Sequence, residues 1–431
     1  MEASPVRNLI LPQSTAGISN GAKKIVVVGG GPSGMMAAIR ASQLHADVTL
    51  IEKNPILGKK LLLSGKGRCN LTNACGLDNF LKRFPKNGEF LRDAFKKFFN
   101  QDLISFFEKR GLKLKVERQL RVFPVTDRSD SILRVLGKEL GNNKVKVIYK
   151  TQLKDIIIRD SKVKGLLLSG GKILPADKII LATGGISYGF TGSTGEGLNL
   201  AAKLRHTIVP LRPGLVPLEV RQKYAKALEG LTLKNIRLTV SDGRKRIVSE
   251  IGELLFTGFG ISGPLVLSLS GQIADWLNNG RHVYAEIDLK PALSKEQLSA
   301  RLLREFLLNS KKTINNTLKA LLPQRLIGIS LEIAKINPPK LASQITKQER
   351  ENLINLFKAM PLDIAKTRPI EEAMITRGGV SLKDINPRTM ESRLIKGLYF
   401  CGEMIDVDAD TGGFNLQAAF STGYLAGESA A

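Results

Sequence analysis

The sequence predicts an α/β fold, a parallel-sheet domain interrupted by a second, inserted domain. Three stretches predict it. From Lys23, KKIVVVGGGPSGMMAAIRASQLHADVTLIEKN runs strand, glycine cluster, small-residue helix, strand. From Gly397, GLYFCGEMIDVDADTGGFNLQAAFSTGYLAG returns to strand then helix. Between residues 206 and 386 the texture changes, first to proline-punctuated strands, then to basic helices.

Taken in order, residues 1–22 are rich in Ser, Pro, Asn and Gly without periodicity, and a flexible extension is expected there. Ile25–Val28 is an apolar strand, Ser33–Leu44 a helix and Asp47–Glu52 a second strand, together a βαβ unit. Eight of the 17 phenylalanines fall between Phe80 and Phe107, mixed with basic residues. From Leu91 to Arg110 their spacing is helical, which predicts a buried aromatic face with cations outward. Exposed rings that stack on bases are the alternative. Val145–Tyr149, Leu153–Ile158, Gly165–Ser169 and Lys178–Ala182 read as strands, with Gly170-Gly171 as a turn. Pro210, Pro213 and Pro217 punctuate the start of the inserted segment, and its helical, basic part runs from Lys295 to Lys358. Leu254–Ala274 lacks charges, but Gly258, Gly260, Gly263, Pro264 and Gly271 break it, so loop, strand and helix start are expected there instead of a membrane helix.

Composition bounds the function. At 431 residues with 43% hydrophobic and 24% charged residues, the chain can bury a large core, and disorder, collagen and coiled coil are excluded as descriptions of the whole. Cys69, Cys75 and Cys401 are too few for a secreted disulfide scaffold, which points to a reducing, cytoplasmic compartment. Three histidines and no Cys/His cluster argue against zinc, and no metal is expected. Glu2 and a short apolar run ending at Pro12 do not make a signal segment, and no membrane association is expected. The net charge of +26 attracts polyanions: nucleic acid, acidic lipid or anionic small molecules.

The chemistry lies in three glycine motifs. Gly29, Gly31 and Gly34 fit G-x-G-x-x-G between a strand and a helix. The first glycine makes the tight turn, the second lets backbone approach a pyrophosphate, and the third lets the helix pack on the strand. The helix N-terminus offers amides and partial positive charge to phosphates. Glu52, 23 residues after Gly29, ends the next strand, where an acid accepts hydrogen bonds from a ribose. A glycine-rich turn without ligand is the alternative. In the second motif, Leu181-Ala182-Thr183-Gly184-Gly185, a strand ends where backbone must pass close to something. In the third, Gly402-Glu403 is followed by Asp410-Thr411-Gly412-Gly413-Phe414-Asn415 and a helix starting near Asn415. An acid there can bind ribityl hydroxyls, and the helix N-terminus can face a flavin pyrimidine carbonyl.

These segments, in this order, resemble the glutathione-reductase-type FAD fold. SGKGRCNLTN (64–73), TGSTGEG (191–197), FTGFGISGP (256–264) and TRGGV (376–380) narrow the likeness. They resemble the bacterial NAD(P)/FAD-dependent oxidoreductases related to aminoacetone oxidase and the FAD-dependent ribosomal RNA dihydrouridine synthase, over residues 23–431. The resemblance implies a Rossmann-like FAD-binding domain from 23–205 and 387–431. It implies an inserted domain over 206–386, barrel-like over 206–290 and 359–386 and helical over 291–358. It also implies FAD held by Gly29, Gly31, Pro32, Ser33, Gly34, Glu52, Lys53, Lys60, Ser64, Gly67, Arg68 and Asn70. Thr183, Gly184, Gly185, Gly402, Glu403, Gly412, Gly413, Phe414 and Asn415 complete that set. In three places the chain departs from its relatives. Gly258 stands where many have His, Lys66 where Gly is frequent, and Cys401 where Ala is common.

No second G-x-G-x-x-G follows a strand, so NAD(P)H is expected as a transient donor docking over the flavin. Cys69 and Cys75 miss the C-x4-C spacing of disulfide reductases by one residue. Cys69 is a candidate proton donor or a packed cysteine; Arg68 and Asn70 are candidate catalytic groups or shape the loop. The implied activities lead to one expectation with two rivals. The expectation is NAD(P)H-driven reduction of a uridine in ribosomal RNA to dihydrouridine, by hydride from flavin N5 with a protein acid protonating C5. Basic residues on the 80–121 and 295–358 segments would meet RNA phosphates. The rivals are a small-molecule flavin oxidase or reductase, acting on an amine or an enone, and a ribosome-associated protein keeping FAD as a structural element.

Overall fold

The computed structural model describes residues 21–431; the extension expected over 1–22 lies outside the described residues apart from Gly21 and Ala22. A five-stranded, all-parallel sheet carries the nucleotide-binding motifs. Its elements are β1 (Lys24–Val28), α1 (Pro32–Gln43), β2 (Asp47–Ile51), α2 (Ser129–Asn142), β3 (Lys146–Ile148), β4 (Lys178–Leu181), β5 (Leu398–Phe400) and α3 (Phe414–Ala430). The strand order is β5-β4-β1-β2-β3. β1 reads as continuous Ile-Val-Val-Val because both its faces are covered. The C-terminal helix α3 packs along α1, and β5 pairs with β4, so the last 34 residues complete a sheet begun at the first strand. Leu153–Arg159, Lys162–Leu168 and Ile173–Pro175 form a separate antiparallel sheet, with Gly170 and Gly171 at its turn.

The inserted segment closes an antiparallel barrel. Leu218–Val220, Thr232–Ser241, Gly252–Thr257, Gly260–Ser262, Val283–Asp288 and Met360–Thr367 pair in a ring, shut by Thr232–Ser241 against Val283–Asp288. Closure removes the exposed sheet edge. The chargeless stretch divides into two barrel strands and the helix Pro264–Asn278. Helices Lys295–Leu308, Gln324–Ala334 and Lys347–Lys358 share the barrel's core. An antiparallel ribbon, Ile208–Gly214 with Ile375–Val380, carries the chain out of the sheet domain and back. Among the described residues no helix is long and apolar enough to cross a membrane.

The phenylalanine run differs from the single helix expected. Arg92–Lys97 and Asn100–Glu108 are helical, but Phe98 is extended (φ −154°, ψ 98°). The second helix restarts because Asp102 accepts the Phe99 N–H (2.8 Å) and Asn100 Nδ2 donates to Asn73 O (2.7 Å) and Cys75 O (2.9 Å). The rings are core, as the helical spacing predicts: Phe80, Phe84 and Phe95 are buried. Phe80 meets Phe414 edge-on at 4.7 Å, which seats the start of α3.

Candidate active site

Ile51, Val28, Leu181 and Phe400 stand in one row across the parallel sheet. The chain leaves that row as Glu52, Gly29, Ala182-Thr183 and Cys401-Gly402-Glu403. This is the carboxyl edge, where open parallel sheets bind ligands. A cavity of about 1820 Å³ opens there and continues to the barrel. Ordinary small-molecule sites hold roughly 300–1,000 Å³, so there is room for a dinucleotide and a second molecule.

The glycine turn is shaped by close approach. A Cβ on Gly29 would lie 2.4 Å from Ala182 O, and one on Gly34 would lie 1.9 Å from Gly29 O. A Cβ on Gly31 would meet nothing within 4 Å, because that side is open cavity. Gly31 precedes α1 with no side-chain cap and no acid in the first turn. Gly413 precedes α3 in the same way. Two helix N-termini therefore bring unpartnered N–H groups and partial positive charge to one cavity. That donor set fits the pyrophosphate and the ring carbonyl of FAD.

Of the residues marked for the cofactor, Gly34, Gly67 and Gly185 do not line the cavity, and the rest do. Gly34 packs beneath the turn, Gly185 backs onto Thr376, and Gly67 is an exposed turn with φ 82°. Glu52 is tied to backbone: its carboxylate accepts the N–H groups of Gly30 (2.7 Å) and Asn54 (2.7 Å). Lys53 Nζ donates to Thr194 Oγ1 (2.6 Å) and pairs with Glu196 (3.2 Å). Lys60 Nζ reaches both oxygens of Glu403 (2.7 and 2.9 Å) and Ser187 Oγ (2.7 Å). Glu403 also accepts the Thr376 N–H (2.6 Å), so it arrives at the cavity ion-paired. Thr183 Oγ1 donates to Met404 Sδ (3.1 Å), and Asn415 Nδ2 donates to Ala409 O (2.8 Å), bracing the glycine loops.

The catalytic candidates separate. Arg68 and Asn70 line the cavity; Cys69 does not. Cys69 is fully buried, with φ 60°, and burial pushes its thiol up to about 12. It packs in the core off the cavity wall, where the proton donor expected from the sequence is not placed to reach a substrate. Cys75 lines the cavity as a free thiol, half-buried, while Cys69 is buried elsewhere. Arg68 pairs with Glu117 and with Asp127 (2.5 Å) and lies over Phe123 (4.2 Å). Asn70, with its amide turned to satisfy its neighbours, donates to Thr72 O (3.2 Å) and accepts from Gly413 N–H (3.1 Å). It therefore couples the 64–73 loop to the start of α3. Lys66 is left-handed (φ 58°), the conformation glycine takes at least cost, which accounts physically for glycine in relatives. Gly258 lies outside the cavity; a Cβ there would sit 3.0 Å from the Glu229 carboxylate. Cys401 is wholly buried, a small core residue.

Further residues complete the cavity wall, among them Arg118 and Arg121 of the basic 80–121 segment. Asp410 lines the cavity, and burial lifts its carboxyl to about 6 against the nearby Arg83. Its place inside the third motif was the available signal. Arg377, nearly buried, joins the barrel side to the third motif: it pairs with Asp275 (3.0 Å) and Asp408 (3.4 Å) and donates to Gly271 O (2.7 Å). Arg118, Gln119, Leu120 and Arg121 form part of the rim.

The protein-family model described as "HI0933-like protein Rossmann domain" matches residues 23–429. A 3-dehydro-bile acid delta(4,6)-reductase of Clostridium scindens is 34% identical, covering 95% of this chain and 99% of that one. A ribosomal RNA dihydrouridine synthase of Haemophilus influenzae is 30% identical, covering 93% and 96%. Among solved structures, the 3-ketosteroid-delta4-(5alpha)-dehydrogenase of Rhodococcus jostii superposes with a TM-score of 0.51 at 14% identity, covering 97% and 98%, a likeness of fold alone.

Proposed function

The chain belongs to the HI0933-like Rossmann-domain family and is an FAD-dependent oxidoreductase, and we propose that it saturates a carbon–carbon double bond conjugated to a carbonyl, in a uridine of ribosomal RNA. Uracil and an unsaturated ketosteroid share that chemistry: hydride adds to the carbon far from the carbonyl, a proton to the near one. The observation that carries the choice of RNA is charge. Among the described residues, Lys66, Lys82, Arg118, Arg121 and Lys234 line the cavity with no carboxylate within 4 Å, on a chain of net charge +26. Unpaired cations suit a polyanion and repel an amine, which is protonated at neutral pH.

FAD supplies the hydride chemistry when bound and reduced. The chain's own residues hold and orient it. The Gly29–Gly34 turn and the α1 amides would take the pyrophosphate, with Glu52 on the adenosine ribose. Glu403, fixed by Lys60 and Thr376, would take the ribityl chain, and the α3 N-terminus the pyrimidine carbonyl. NAD(P)H would dock transiently over the ring.

Nucleoside mass spectrometry of ribosomal RNA from cells with and without the protein tests this. One dihydrouridine should vanish on deletion and return with the wild-type gene. An unchanged modification profile would end the RNA reading. The second reading is reduction of a small enone, favoured by the 34% identity with a bile acid reductase. It predicts flavin reoxidation by an unsaturated ketosteroid, with no effect of added RNA.

A further inference from the structure

The rim segment Arg118–Arg121 is held at a defined place on the cavity. Ala74 N–H donates to Leu120 O (2.8 Å), and Asn73 Nδ2 donates to Gln119 O (3.0 Å) and Gly412 O (3.3 Å). The segment therefore stands against the glycine pair that opens α3. Gln119 (φ 60°) and Leu120 (φ 58°) are consecutive left-handed residues, neither of them glycine. Such strain persists where surrounding structure imposes it and gathers at functional sites. It turns Leu120 outward, 49% exposed, on the cavity wall. Neighbouring Arg68 and Lys115 are both paired with Glu117 and Asp127. Among the described residues, Arg118 and Arg121 have no such partner, and Arg121 Nε only donates to Arg118 O (3.1 Å).

We propose that this lip docks RNA at the reacting base: Arg118 and Arg121 bind the flanking phosphates, and Leu120 occupies the stacking space the base vacates. The proposal rests on the RNA reading above. A base must leave its stack to meet a buried reactive group. Apolar wedges between base steps stabilise that state, and planar guanidinium groups match phosphate oxygens. A small carboxylate substrate would use the cations but has no need of a protruding apolar tip.

The test uses the FAD-loaded protein and an RNA stem-loop with 2-aminopurine beside a uridine. Wild type should bind with affinity that falls steeply with salt and should raise the 2-aminopurine fluorescence. Arg118→Gln/Arg121→Gln should lose about tenfold or more in affinity at low salt, with a salt slope shallower by about two, one per phosphate contact. Arg118→Gln alone alters only an exposed side chain and should lower the slope by about one. Leu120→Gly should bind within about threefold of wild type, melt no lower because glycine relieves the backbone, and lose the fluorescence rise. Equal affinity and slope in the arginine variants, or an intact fluorescence rise in Leu120→Gly, would overturn the lip while leaving the RNA reading standing. No salt-dependent binding by wild type would remove both.

Discussion

A methyl group at Gly31 would meet no protein atom within 4 Å, and the backbone there is extended (φ −77°, ψ 179°). Alanine can adopt that conformation. Gly31→Ala should therefore leave stability of the flavin-free protein within about 0.5 kcal/mol, yet protrude where a pyrophosphate would lie. Flavin absorbance retained after desalting should drop sharply, and full retention would contradict the assignment. Asp410 gives a pH signature. An ordinary aspartate titrates near 3.9; burial raises Asp410 to about 6, with Arg83 at 3.9 Å opposing and Asp408 and Glu250 reinforcing the rise. The folded chain thus holds this proton more tightly than the unfolded one. The resulting stabilisation is whole below about pH 4, fades as pH rises through about 6, and leaves an ionised carboxyl as a net cost at neutrality. Asp410→Asn should stabilise the folded chain near neutral pH by on the order of 1–2 kcal/mol, seen as a higher melting temperature, and lose that advantage in acid. A gain independent of pH would refute the account. Both residues stand inside motifs legible in the sequence. Their surroundings were not: Lys60 and Glu403 are 343 positions apart, and only folding shows that they pair.

Elements were legible where their partners are near in sequence. The βαβ unit declares itself because strand, turn and helix meet within 30 residues, and the apolar run of β1 needs both faces covered. The ribbon of Ile208–Gly214 with Ile375–Val380 joins segments far apart, each rich in Gly or Pro, and carries no local signal of its partner. The break at Phe98 was hidden because the aromatic spacing runs on across two short helices, each of which buries phenylalanine. Arg377 gives the ribbon its structural weight. Its guanidinium ties the ribbon to helix Pro264–Asn278 through Asp275 and to the third motif through Asp408. Arg377→Met leaves the largely buried Asp408 with no cation within 4 Å among the described residues, while Asp275 keeps Arg212 (2.7 Å). Breaking such a pair costs about 3 kcal/mol, so the denaturant midpoint should fall markedly. A change under about 0.5 kcal/mol, the size of an ordinary surface substitution, would show the network to be dispensable.

At the scale of the whole molecule, two cores meet at one cavity: the sheet domain supplies the uncapped helix ends, and the barrel supplies the opposite wall. The α/β class and the FAD motifs were readable because they repeat a solved physical problem, that of holding a pyrophosphate. The substrate wall was not, because rim residues as distant as Leu120 and Lys234 converge only after the barrel closes.

The sheet's construction has a consequence for how the chain is made. β4 waits for β5, and α1 waits for α3, yet both partners lie beyond residue 397. During synthesis the barrel's strands, ending at Thr367, are all available before the sheet is complete. Flavin capture is then expected only once β5 and α3 have been made, because the chain before them offers only part of the cradle. A chain ended before Leu398 should still show a barrel melting transition in calorimetry and retain no yellow colour. Colour in that truncated protein would mean that the cofactor is loaded without β5 and α3.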